Sequence, residues 1–103
     1  MKYGKLIRDK IPEIIKASRA NYETHVAGND EYQRKLREKL REEVEEFLSE
    51  PCIEELADIL EVVNALAEFE FDGIKNLEEV RKRKFERRGG FEEKLILDEA
   101  DDR

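Results

Sequence analysis

The chain has 103 residues, with 20 Lys and Arg against 27 Asp and Glu, one histidine, one cysteine and a formal net charge of −7. That length suits one small domain over residues 1–103, which buries only about two thirds of its chain surface on folding and gains stability by assembling with copies of itself, as a dimer or tetramer. The acidic balance argues against wrapping a nucleic-acid polymer, the lone cysteine excludes an intrachain disulfide, and no apolar run reaches the length of a membrane span.

Residues 2–18, KYGKLIRDKIPEIIKAS, set Leu6, Ile7, Ile11, Ile14 and Ile15 among basic residues, with Pro12 placed for the first turn of a short helix. This arm is expected to dock on the central helices, with Lys5, Arg8 and Lys10 either in reach of an anionic ligand or simply solvated. No signal-peptide pattern opens the sequence, so a reducing, cytoplasmic setting is expected. From Asn21 to Gly28 the alternation of Tyr22, Thr24 and Val26 before an Ala-Gly-Asn-Asp turn predicts a short β-strand near residues 22–27. His25 within it reads as structural. Asn29 or Asp30 is then expected to cap a long helix, with Glu31 in its first turn.

The centre of the chain, Leu36 to Phe69, carries two helical patterns that meet at Pro51. At about 100° per residue, Tyr32, Leu36, Leu40, Val44, Phe47 and Leu48 form one apolar arc, which encloses Glu43 and has Glu46 at its edge. A second arc of Cys52, Ile53, Leu56, Ile59, Leu60, Val62, Val63, Leu66 and Phe69 encloses Glu55, with Asp58 at its flank. Cys52 reads as packing. Phe71, Asp72 and Gly73 mark a break, and a third long helix follows from about Lys75 or Asn76 with Leu77, Val80 and Phe85 on one side, stopped by Gly89 and Gly90. The run Lys94 to Leu97 predicts a second short β-strand near residues 93–98, paired with the first, before a polar tail. The expected fold is therefore mainly α, an antiparallel helical bundle core, to which the two short stretches near 22–27 and 93–98 could add strands.

If the chain reverses near Glu50 and Pro51, Glu46 stands opposite Glu55 and Glu43 opposite Asp58, as two facing rungs. Three residues rise about 4.5 Å and packed helices lie roughly 8–10 Å apart, so the four side chains converge on a small volume. Four carboxylates need a counter-charge there, because a buried unpaired carboxylate costs several kcal/mol or stays protonated. A hard divalent cation with oxygen ligands, Mg²⁺ or Mn²⁺, answers this; so do buried salt bridges from Glu43 and Glu55 to Lys39, Lys84 or an arginine. In residues 81–88 six cations oppose only Glu86, a local +5 that leaves −12 elsewhere. That polarity separates an acidic, metal-binding region from a basic, phosphate-binding one.

The string KLREEVEEF followed by EELADILEVV, with Glu43-Val44-Glu45-Glu46 and Glu55-Leu56-Ala57-Asp58 at its heart, resembles the MazG-like all-α nucleoside triphosphate pyrophosphohydrolases. The ends KLIRDKIPEII and KFERRGGFEEK are similar to a subgroup labelled phosphoribosyl-ATP pyrophosphohydrolase-like. The resemblance implies a helical core of the all-α NTP pyrophosphatase type, in which Glu43, Glu46, Glu55 and Asp58 are both catalytic and Mg²⁺-binding. The implied enzyme cleaves a nucleoside triphosphate or related nucleotide between its α and β phosphates, giving a monophosphate and pyrophosphate, as a house-cleaning hydrolase. Lys39, Lys84, Arg87 and Arg88 are the expected phosphate contacts. Hydrolysis of phosphoribosyl-ATP in histidine biosynthesis uses the same chemistry, and a non-catalytic helical oligomerisation or binding module is the competing class.

Overall fold

The charged, leucine-rich stretch that follows Gly28 has few β-branched residues and runs as one long helix. The computed structural model describes residues 4–101 and contains four helices: α1, Ile11–Ala17; α2, Asn29–Ser49; α3, Ile53–Glu70; and α4, Ile74–Arg88. α2 and α3 form an antiparallel hairpin. Pro51 enforces the reversal, since the ring of a proline keeps the preceding residue out of the helical region, and Glu50 accordingly ends α2 at φ −137° and ψ 83°. At the far end of the hairpin, Tyr32 meets Phe69 edge to face with ring centroids 4.8 Å apart. Beside them Glu70 accepts from Arg37 at 3.0 Å and from Gln33.

The α3–α4 corner is fastened by its own backbone. Phe71 and Gly73 both donate to the Ala67 carbonyl, and Asn76 Nδ2 reaches back to the Phe71 carbonyl at 2.8 Å. Gly73 turns the chain at φ +104°, a conformation open to glycine and strained for other residues. Glu68 then satisfies one of the orphan donors at the start of α4, accepting from Ile74 N at 3.0 Å. Gly89, at φ +76°, ends the helix.

Several expectations are corrected. Residues 22–27 and 93–98 form no strand, and no strand occurs among the described residues. A strand is stabilised by a ladder and a covered face, and these stretches have neither: Val26, Leu95, Ile96 and Leu97 are all more than four fifths exposed. Gly28, rather than Asn29 or Asp30, is the N-cap of α2, without a side-chain cap. Cys52 is the N-cap of α3 and is exposed, so it does not pack inside the chain. Lys2 and Tyr3 of the expected arm, and Asp102 and Arg103 of the expected tail, lie outside the described residues.

The hairpin seam takes only part of the two apolar arcs. Leu36, Val62 and Ala67 are buried and Tyr32, Leu40, Phe47, Ile59, Val63, Leu66 and Phe69 half-buried, but Val44, Leu48, Ile53, Leu56 and Leu60 remain exposed. α4 rests sparsely on α3 and leaves Val80 and Phe85 in solvent. The radius of gyration is 18.2 Å, against about 13 Å for a compact domain of this length. No helix of the described residues is long and apolar enough to cross a membrane.

Candidate functional site

Glu43 and Glu55 lie near the turn end of the hairpin, where the phase of each helix directs an acid into the α2–α3 seam. One carboxylate oxygen from each of Glu43, Glu55 and Asp58 lies within 4.8 Å of the other two. Glu43 is 5% exposed, while Glu55 and Asp58 are half-buried. The fourth acid, Glu46, is exposed and stands outside this group, although its charge still acts on Glu55. The observed set is thus three converging carboxylates with a fourth at the rim, in place of two facing rungs.

Each member has a different partner. Glu43 Oε1 lies 3.2 Å from Lys39 Nζ, one helical turn earlier, and Lys39 also approaches Glu42 at 3.7 Å. Asp58 Oδ1 accepts a hydrogen bond from Arg8 Nη2 at 2.6 Å, across 50 residues of chain. The second oxygens of Glu43 and Glu55 are buried and receive no hydrogen bond from a described donor. Removal from water pushes the Glu55 carboxyl up to about 7, helped by its approach to the Glu43 carboxyl and by the charges of Glu46, Glu43 and Asp58. The Glu43–Glu55 approach becomes a hydrogen bond only when one of the two holds a proton.

Two carboxylates with unpaired buried oxygens can be reconciled by a shared proton or by a cation. The donors here are all oxygen, without His or Cys, and carry three negative charges when ionised, a set matched to a hard divalent ion such as Mg²⁺ or Mn²⁺. The residues therefore fit the expected group. Among the described residues, the competing salt-bridge arrangement is realised for one oxygen of Glu43 through Lys39, and for neither oxygen of Glu55.

The expected phosphate contacts divide. Lys39 lies at the acids and also lines a cleft of about 370 Å³ between the N-terminal arm and α2, together with Lys5, Lys35, Glu38 and Glu42. Lys84, Arg87 and Arg88 are exposed on α4, and among the described residues none of them pairs with an acid of the cluster. Lys84 and Arg87 line a separate cleft of about 510 Å³ with Arg83 and Val80. Conversely, Arg8 belongs to the acid cluster by position, and so does Lys5 at its margin through Glu42 at 2.9 Å. Their sequence signal was a pair of cations three apart on the arm, which did not separate a site residue from a solvated one. Comparison with protein-family models, with curated proteins and with solved structures found no match to this chain.

Proposed function

We propose that this chain is a Mg²⁺-dependent nucleotide pyrophosphohydrolase, also served by Mn²⁺, that cleaves a nucleoside triphosphate or related nucleotide between its α and β phosphates to give a monophosphate and pyrophosphate. The observation that carries this reading is the convergence of Glu43, Glu55 and Asp58 around buried carboxylate oxygens that lack a donor. The resemblance of the two acidic helices to the MazG-like hydrolases supports it. Bound divalent cations supply charge neutralisation at the phosphates and a water of lowered pKa. Glu43, Glu55 and Asp58 would hold such a cation in the seam, with Glu46 at its rim. As water adds, the bond from that phosphorus to the bridging oxygen breaks, pyrophosphate leaves with the bond's electrons, and the proton lost by water passes to solvent. Lys39, already beside Glu43, is placed to balance charge on the leaving pyrophosphate.

A second copy of the chain completes the fold in this reading. The surface area is 9878 Å², whereas a folded monomer of this mass exposes about 6,100 Å². Part of that surplus belongs to the unpacked segments before α2 and after α4, and part to the exposed apolar residues of α2 and α3, which a second copy would cover. Leu56 and Leu60 of α3 are exposed beside the acids, so a copy that covers them would border the seam. The deciding experiment is a panel of nucleoside triphosphates assayed for pyrophosphate release with Mg²⁺, with Mn²⁺ and in chelator. Metal-dependent release that Glu55→Gln abolishes is the expected result; release that persists in chelator, or no release from any nucleotide, overturns the reading.

A further inference from the structure

The N-terminal arm brings two cations to the acid cluster. Lys5 Nζ meets Glu42 at 2.9 Å, and Arg8 Nη2 meets Asp58 Oδ1 at 2.6 Å. These are the ion pairs that tie residues 4–10 to the hairpin among the described residues, and both partners lie at or beside Glu43, Glu55 and Asp58. The Arg8 side chain is 55% exposed, so packing does not hold it there; charge does. An exposed pair of this kind is weak, and a weak pair at a crowded anionic site is one that exchanges partners.

We propose that Arg8 is a substrate-binding residue that exchanges Asp58 for a phosphate oxygen of the nucleotide when the acid cluster is loaded with its divalent cation; this rests on the reading of that cluster given above. The physical argument has two steps. Arg8 and a divalent ion compete for the charge of Asp58, and the ion, held by three carboxylates at once, wins. The guanidinium is then released within hydrogen-bonding distance of the ligand set, where the phosphates of a metal-bound nucleotide arrive. A guanidinium presents several N–H donors in a plane suited to phosphate oxygens. The cleft on the same side of α2 as the arm is lined by Lys5, Lys35 and Lys39 together with Glu38 and Glu42, and its lysines are held in ion pairs, so Arg8 is the cation on which the recruitment rests. Competition and recruitment make opposite demands on one side chain, which gives the proposal a signature that a merely structural role lacks.

The test uses the full chain and two titrations by calorimetry: Mn²⁺ alone, then inorganic pyrophosphate with Mn²⁺ saturating. Arg8→Gln is expected to bind Mn²⁺ about two- to five-fold more tightly, the range that loss of an exposed ion pair allows. The same variant is expected to bind pyrophosphate about tenfold or more weakly, as for a lost charge-assisted hydrogen bond. Lys10→Gln, an exposed cation on the same arm, controls for bulk charge and leaves both constants unchanged. Unaltered pyrophosphate affinity in Arg8→Gln, weaker Mn²⁺ binding, or equal changes in Lys10→Gln overturns the role of Arg8 while the cation site stands. If the wild-type chain binds no Mn²⁺, the cation site itself falls and the role of Arg8 with it.

Discussion

Glu43→Gln separates a ligand from a salt-bridge partner, because the two roles predict opposite signs for stability. The substitution keeps the shape of a side chain that is 5% exposed. It supplies an amide N–H₂ where Glu43 Oε2 and Glu55 Oε2 both lack a donor. Satisfying a buried acceptor recovers about 1–3 kcal/mol. Against this, the 3.2 Å pair with Lys39 is lost, which costs up to about 1 kcal/mol while Lys39 retains Glu42. The net expectation in chelator is a gain of about 1 kcal/mol, or about 4–8 °C in melting temperature for a chain of this size. With Mg²⁺ present, pyrophosphate release is expected to fall by about 100-fold or more, since removing even an outer partner of a metal site costs about 10–100-fold. Thermal melts followed by circular dichroism in chelator, alongside pyrophosphate release in Mg²⁺, measure both. A variant destabilised by about 3–5 kcal/mol, as for a broken buried ion pair, that still releases pyrophosphate would refute the reasoning.

Three other outcomes are expected, two from the geometry of the seam and one from the charge of α4 alone. The Glu55 carboxyl moves from its ordinary 4.5 to about 7 on folding, so the folded chain holds more protons between those values. The cost of ionising it is absent below about 4.5, grows through the interval and is complete above about 7. Urea midpoints measured in chelator should therefore fall with rising pH across that window, and Glu55→Gln should flatten the slope; equal slopes in both proteins refute the assignment. Leu56→Asp combined with Leu60→Asp should halve the mass seen by light scattering at a concentration where the wild type is paired, and an unchanged mass moves the interface to another face. Lys84→Ala with Arg88→Ala should raise KM or lower turnover in a protein that melts normally, whereas unchanged kinetics return the α4 edge to solvent.

The helices were legible because their signals are local and repeated. Each apolar arc has several members, so one exposed residue does not change its phase, and Pro51 and Gly89 act on the chain where they stand. The expected strands failed for the opposite reason. Three alternating residues at 22–26 and a short apolar run at 94–97 satisfy a pattern, but a ladder needs a partner in register, and nothing in either stretch specifies one. The apolar arcs also exceed what one seam buries. The wheel gives the apolar side of α3 correctly, yet Leu56 and Leu60 on that side are exposed within one chain, because the arc is wider than the seam that a single neighbouring helix covers.

At the site, helical phase was enough to single out Glu43, which is buried, and Glu55, which is half-buried with one oxygen shut off from water. It was not enough for Glu46. Whether an acid at the edge of an arc joins the seam depends on the axial offset and spacing of the two helices, and those are set by side chains along their whole length. Arg8 was harder still, since its partner lies 50 residues away and the arm that carries it has no contact-making periodicity to read. A cation on an arm is placed by the path of the chain, and charge alone then decides what it holds. That is also why Arg8 is the informative residue. Glu43 is confined by packing, whereas the Arg8 guanidinium is half in solvent and held by one pair, so it is free to follow whichever anion binds it best. If the seam takes up a divalent cation, Asp58 ceases to be that anion, and a phosphate beside it becomes the stronger partner.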